Sequence, residues 1–294
     1  MITNEILRQR QSLPLKVKIQ MSLNRINEFY EHFNGQVYVA FSGGKDSTVL
    51  LNLVRTIYPD VPAVFNNTGV EFPEIRNFIK TIDNVIWLKP TKSYEEIINQ
   101  YGYPIISKEI SKIVYALRNY SLSPNYKEQQ LKRLGNKWQF LLKAPFKISD
   151  RCCYYLKKSI AIKYEKGSGR YPFIGILASE GYIRKQIYLK QGCNAFDIKR
   201  PCSKPISFWL AKDIWEYIRT NKIPYSSIYD MGYKSTGCMY CGFGIQFKDG
   251  KQRFQDLMRT HPQAHKYAIT KLGMKEVLDY INIPYDSYQT IIQF

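Results

Sequence analysis

The stretch Val37-Tyr38-Val39-Ala40-Phe41-Ser42-Gly43-Gly44-Lys45-Asp46-Ser47 constrains the chain more than any other. Its apolar, β-branched and aromatic start reads as a buried parallel strand. Ser-Gly-Gly then forces a sharp turn and leaves backbone amides uncovered. The following run, Thr48-Val49-Leu50-Leu51-Asn52-Leu53-Val54, reads as an amphipathic helix. A strand, a glycine turn and a helix N-terminus make an anion site, because free N–H groups and the positive end of the helix dipole converge there. The hydroxyls of Ser42 and Ser47 add donors, and Lys45 adds a charge. The loop is not a Walker A loop, since no Gly-Lys-Ser/Thr follows a four-residue spacer.

Strand-like runs recur at 61–66, 85–88 and 171–176, separated by helical patterns. Such alternation predicts an α/β class with a doubly wound parallel sheet. Ligands on such sheets bind at the carboxyl ends of the strands, where Ser42 and Thr68 fall. Residues 5–33 read as helical, Pro73 opens a further helix, and 209–218 reads as an amphipathic helix after a short strand or turn at 205–206. Residues 93–147 read as a helical insertion with no strand pattern. The expected organisation is a nucleotide-binding domain over 1–250 that carries this insertion, then a helical extension over 251–294. His261 and His265 read as a loop or helix start, with Pro262 between them, and not as a metal pair.

With 45% hydrophobic residues among 294, the chain can bury a full core. It has no 18-residue apolar run, which excludes a membrane helix. The first residues lack a signal-peptide pattern, so a cytoplasmic protein is expected. Its six cysteines then read as metal ligands or redox groups and not as structural disulfides. The net charge of +19 exceeds what a single nucleotide needs and suggests a polyanionic partner, although a generally lysine-rich composition gives the same sum. Between Lys108 and Lys147 there are nine basic and two acidic residues, interleaved with Tyr115, Tyr120, Tyr126, Trp138 and Phe140. That mixture suits phosphates and unstacked bases, or equally a solvated helical face with aromatics in the core.

Cys152-Cys153 are adjacent, and Cys238-Met239-Tyr240-Cys241 is a C-x2-C between Gly237 and Gly242. Flanking glycines let a backbone curl so that both sulfurs face one ion. Four thiolates suit zinc or an iron–sulfur cluster. Arg151, Lys157, Lys158 and Lys234 make the surroundings basic, which lowers thiol pKa values and offsets an anionic cluster. Cys193 and Cys202 are left over, as small buried or loop residues, with one of them an alternative to Cys152 as a ligand or a persulfide carrier.

Ser42 to Ser47 resembles the PP-loop of ATP pyrophosphatases, Ser-Gly-Gly-x-Asp-Ser. Further features follow in order: Thr68-Gly69 with Phe72-Pro73-Glu74, Arg151-Cys152-Cys153, Gly175 through Glu180 to Arg184, Pro205-Ile206, and Gly237-Cys238-x-x-Cys241 after Ile223-Pro224-Tyr225. Over about 37–244 the chain is similar to the phosphoadenosine phosphosulfate reductase-like family. It looks most like the sulfur-transfer members of DNA phosphorothioation systems (DndC-like).

The resemblance implies that ATP is cut between its α and β phosphates and that AMP passes to an acceptor. Lys45, Asp46 and Arg184 would be catalytic. Ser42, Gly43, Gly44, Lys45, Asp46, Ser47, Asn67, Thr68, Gly69 and Glu180 would bind ATP with Mg²⁺. In members with a [4Fe–4S] cluster, a Cys-Cys pair and a C-x2-C lie about 80 residues apart in the family pattern. Here Cys153 and Cys238 are 85 apart, so Cys152, Cys153, Cys238 and Cys241 are expected to hold such a cluster. Nucleic acid would be the acceptor, DNA ahead of tRNA, with a cysteine desulfurase as sulfur donor. The sulfonucleotide reductases of the family attack with a cysteine near the C-terminus, and no cysteine follows Cys241 in this sequence. Reduction of a sulfonucleotide and tRNA thiolation stand as the alternatives. Asn67 and Gly181 depart from the family's frequent Asp and Ser at those positions.

Overall fold

The computed structural model describes residues 2–287. The chain divides into two compact units, one from 2–67, 72–89 and 160–236, the other from 68–71, 90–159 and 237–287.

The first unit holds a six-stranded sheet whose strands lie, from edge to edge, at 85–88, 63–66, 37–40, 171–174, 202–203 and 194–195. Its strands are β1 (Val37–Ala40), β2 (Ala63–Asn66), β3 (Val85–Leu88), β5 (Tyr171–Ile174), β6 (Asn194–Ala195) and β7 (Cys202–Ser203). All pairs are parallel except β6 with β7. This is the α/β parallel architecture that the alternation predicts. β1 lies in the middle, with Val39 opposite both Ala63 and Phe173. Val37, Val39, Ala63 and Phe173 are fully buried, as strands covered on both faces require. The helix Lys45–Ile57 covers β1 with Val49, Leu50 and Val54, and the helices Leu15–His32 and Ala211–Thr220 pack against it.

Local chemistry corrects several expected boundaries. The helix expected over 5–33 is two, Asn4–Ser12 and Leu15–His32. Pro14 separates them: it biases Leu13 to extended backbone (ψ 151°) and has no N–H to continue the ladder. β6 and β7 are each two residues long, too short to leave a periodic signal.

Lys18 and Asp213 form a buried ion pair in this unit, with Nζ 2.6 Å from Oδ2. Asp213 also accepts the Leu210 amide at 2.7 Å, which caps the helix Ala211–Thr220, and Lys18 Nζ donates to the Gln11 carbonyl at 2.7 Å. The pair is thus satisfied on both sides and ties the N-terminal helices to the 211–220 helix.

In the second unit the helices Tyr94–Tyr101, Lys108–Asn119 and Pro124–Leu134 form most of the expected insertion. The segment is not wholly helical, however. β4 (Ile105–Ile106) pairs in parallel with β8 (Gly242–Phe243), directly after the C-x2-C. Gly242 is needed for that pairing more than for a curl, because a Cβ there would meet the Pro104 carbonyl oxygen at 2.5 Å. The helices Arg253–Thr260, Pro262–Thr270 and Met274–Tyr280 follow in the same unit, and Pro262 starts its helix as expected. No helix among the described residues is long and apolar enough to cross a membrane.

Replacing Lys18 with Met would leave the Asp213 carboxylate buried without a cation. We expect a loss of about 3–5 kcal/mol, read from the urea midpoint. An unchanged midpoint would show that the pair carries no stability.

Candidate nucleotide site and cysteine centre

The loop Ser42–Gly44 joins β1 to the helix Lys45–Ile57 in the first unit. Gly43 has φ +70°, and a Cβ there would meet Ile75 and Ile79 side chains at 2.9 Å, so both backbone and space demand glycine. The hydroxyls of Ser42 and Ser47 lie 3.1 Å apart. Ser47 Oγ donates to the Gly44 carbonyl at 2.9 Å, while the Ser42 amide donates to Ser47 Oγ at 3.2 Å and the Gly44 amide to Ser42 Oγ at 3.3 Å. The Lys45 amide, first of the helix, donates to the Tyr229 hydroxyl at 2.8 Å. The amides of Ser42, Gly44 and Lys45 are therefore held by hydroxyl oxygens, which phosphate oxygens can replace without leaving those donors unpaired.

Lys45 Nζ lies 3.1 Å from Asp46 Oδ2, with both side chains largely buried. Burial raises the Asp46 pKa, Lys45 opposes the shift, and Glu180 adds to it. Asp46 Oδ1 is buried and makes no hydrogen bond. An orphaned carboxylate oxygen beside an anion-binding turn is the donor that a hard divalent cation would take. Glu180 accepts the Leu177 amide at 2.9 Å and pairs with Arg184. Gly175 follows β5, and a Cβ there would come within 3.0 Å of the Asp46 carbonyl, so the segment leading to Glu180 runs against the helix start.

The structure thus gathers Ser42, Gly43, Gly44, Lys45, Asp46, Ser47 and Glu180 in one unit, with Arg184 reached through Glu180. Asn67 lies just past β2, its amide bound to the Leu88 carbonyl at 2.8 Å and its Oδ1 buried without a hydrogen bond. Thr68 and Gly69 fall in the second unit, where both the amide and the hydroxyl of Thr68 donate to the Glu71 carboxylate.

Cys152, Cys153, Cys238 and Cys241 also lie in the second unit. All four are free thiols and their charges influence one another. The Cys152 thiol hydrogen-bonds to Cys153. That bond, helped by Lys108 and Lys157, holds Cys153 below the usual thiol range, and it raises Cys152. Burial raises Cys238 and pushes Cys241 up to about 11. Burial works against the Lys157 charge, yet Cys238 and Glu71 outweigh it and raise its pKa. A short π-helical stretch, Tyr154–Lys158, follows the cysteine pair, a distortion that clusters at functional sites. Among the described residues, no three His, Cys, Asp or Glu converge as ligands of a metal ion. The donor chemistry nonetheless fits a thiolate-bound centre: four free thiols, Cys152 buried and the other three half-buried, with the Lys157 charge to offset theirs.

The basic surroundings match the expectation at Lys157, whose charge acts on Cys153 and Cys238, and differ at Arg151. Arg151 donates to the Tyr120 hydroxyl at 2.7 Å and sits over the Tyr115 ring. Lys108 and Arg253 contribute instead, the latter donating to the Cys241 and Phe243 carbonyls at 2.5 and 2.8 Å. Cys193 and Cys202 lie in the first unit at β6 and β7, both buried, and burial pushes Cys193 up to about 12.

Residues 36–242 match the family model described as the phosphoadenosine phosphosulfate reductase domain. The chain belongs to this reductase-domain family. An uncharacterised protein of Methanocaldococcus jannaschii is 30% identical over 225 residues, 74% of this chain and 38% of that protein. The chain therefore spans well under half of that relative's length. Adenosine 5'-phosphosulfate reductase 1 of Bacillus subtilis is 26% identical over 219 residues, 72% of this chain and 76% of its own. Among solved structures, phosphoadenylyl-sulfate reductase from Candida auris in a phosphate complex aligns at TM-score 0.47 and 16% identity, covering 81% of this chain and 96% of that one.

Within the reductase-domain match, sequence reasoning missed Tyr229 and Thr236. A Cβ on Gly44 would lie 3.0 Å from Thr236 Oγ1 and 3.4 Å from the Tyr229 hydroxyl, so both cover the loop. They are distant from it in sequence and carry no local signal. Burial raises the Tyr229 pKa, so its hydroxyl stays protonated as a donor.

In metal-free protein kept under reducing conditions, iodoacetamide should label Cys153 first among the six cysteines. The labelling rate should rise with pH over a range below that of an ordinary thiol, as the thiolate forms. Mass spectrometry showing equal labelling of Cys153 and Cys241 at pH 7 would contradict the assigned hydrogen bond.

Proposed function

We propose that the chain is an ATP pyrophosphatase that adenylates an acceptor for sulfur transfer, most specifically in DNA phosphorothioate modification. The observation that carries the reading is the Ser42–Ser47 loop, set between a central strand and a helix start with its amides on exchangeable hydroxyl partners. Phosphate oxygens of ATP would take those amides. Lys45 and the helix dipole would stabilise charge on the departing pyrophosphate. Mg²⁺, bound with the triphosphate and held by Asp46, supplies further neutralisation. The Asp46 oxygen without a partner supports that placement. Glu180 would hold Arg184 for the acceptor or the α-phosphate.

The chemistry balances in two stages. An acceptor oxygen bonds to the α-phosphorus and pyrophosphate leaves. A persulfide from a cysteine desulfurase then bonds the acceptor centre through its terminal sulfur, and AMP leaves with the oxygen. A second thiol then cleaves the S–S bond, which leaves sulfur on the acceptor and oxidises the carrier to a disulfide. Phosphate oxygen is a poor leaving group and AMP a good one, which is the reason to spend ATP. Cys152, Cys153, Cys238 and Cys241 would hold a [4Fe–4S] cluster, supported by their place in one unit, their mutual influence and the Lys157 charge.

Reduction of a sulfonucleotide is the second reading, favoured by the resemblance to the B. subtilis reductase. The test runs both reactions on anaerobically purified protein. With ATP, a desulfurase and DNA, we expect AMP and pyrophosphate. Ser42→Ala with Asp46→Ala should reduce that release at least about tenfold, with the fold intact, since each tenfold loss is about 1.4 kcal/mol of lost stabilisation. Sulfite from adenylyl sulfate and thioredoxin, with no pyrophosphate from ATP, would overturn the proposal. Pyrophosphate release with tRNA and not with DNA would move the acceptor to tRNA.

A further inference from the structure

The basic-aromatic segment 108–147 is less free than its composition implies. Lys132 pairs with Glu128 and Arg133 with Glu109, each at 2.7 Å. A different place in the first unit has cations with no such partners.

A cavity of about 360 Å³ lies between the helix Asn4–Ser12 and the segment that carries Glu180. Leu7, Ala178 and Leu210 supply its apolar lining, and Arg8, Lys185 and Tyr182 its cationic and aromatic lining. No acidic residue lines it. Among the described residues, neither Arg8 nor Lys185 has an ion pair. Tyr182 is 76% exposed and Ile183 69%, so the first turn of the helix Tyr182–Gln191 presents large apolar area to water. The two walls are fixed to each other. Arg10 donates to the Tyr188 hydroxyl at 2.8 Å, and the Ile2 amide to the Leu189 carbonyl at 3.1 Å.

We propose that this cavity binds one nucleotide of a single-stranded nucleic acid and is the entry point of the acceptor strand. The proposal rests on the reading above and names the acceptor's site. Free cations would take the backbone phosphate. The exposed Tyr182 ring would take a base face, a contact open to any sequence. The volume falls within the range of small-ligand sites, enough for one nucleotide unit. The position suits an acceptor, because Ser179 and Gly181 line the cavity while Glu180 between them acts on Asp46 through its charge. The turn that borders the cavity thus also carries Glu180, whose charge reaches the loop.

The test uses a short fluorescein-labelled oligothymidylate and the full chain, with anisotropy as readout. Tyr182→Ala, and separately Arg8→Gln with Lys185→Gln, should each weaken binding at least about tenfold. The double variant should also flatten the dependence of log affinity on log salt by about 0.7, for the one phosphate that the two cations neutralise. ATP binding by calorimetry and the thermal midpoint should stay as in the unaltered chain, which separates this site from the loop and from misfolding. Strand binding unchanged in both variants overturns the proposal. So does binding of free thymidine monophosphate at this site without binding of the strand. If strand binding falls as expected but the unaltered chain releases no pyrophosphate, the cavity stands and the adenylation reading fails.

Discussion

The first unit depends on the junction of β1 with the helix Lys45–Ile57. Val49, Leu50 and Val54 hold the helix on the sheet, and this burial fixes where the helix begins. The helix start then has amides with no carbonyl of its own to meet. Gly43 lets the chain reach that point in a left-handed conformation, and Gly175 lets the segment after β5 close against it. Ser42, Ser47 and Tyr229 satisfy the exposed donors in the ligand-free chain. Apolar packing thereby sets the position of a polar site, and the hydroxyl contacts keep that site from costing stability when no phosphate fills it.

A second constraint governs the cysteine unit. Burial opposes ionisation of Cys238 and Cys241, and the hydrogen bond within the Cys152-Cys153 pair concentrates thiolate character on Cys153. Loading a thiolate-bound centre would therefore release protons from the other thiols, and its affinity would rise with pH. Lys157 would offset part of the resulting negative charge. The β4–β8 pairing anchors the end of the C-x2-C, and the π-helical stretch bends the chain just after the cysteine pair.

Much of this was legible in the sequence because it is local. The run from Val37 to Ser47 carries its own strand, turn and helix signals, and Pro262 marks its helix start. The parallel sheet follows from alternation, and the family from motifs in order. What was not legible depends on distant parts of the chain. Tyr229 meets Lys45 across 184 positions, a relation that periodicity cannot express. β4 and β8 are two residues each and exist only as partners. Arg151 beside the cysteines is expected to serve them, but the Tyr115 ring takes its planar guanidinium face-on and the Tyr120 hydroxyl accepts its hydrogen bond. The split at Pro14 was readable from the absence of its N–H, and the apolar pattern on both sides concealed it.

The central claim is that the Ser42–Ser47 loop is where the triphosphate binds. The most direct measurement is amide NMR of the isotopically labelled chain during titration with Mg²⁺ and a non-hydrolysable ATP analogue. The account predicts that the amides of Gly44 and Lys45 shift most, as phosphate oxygens replace the hydroxyls of Ser42 and Tyr229. Saturable binding that leaves these amides unmoved while others shift would contradict it.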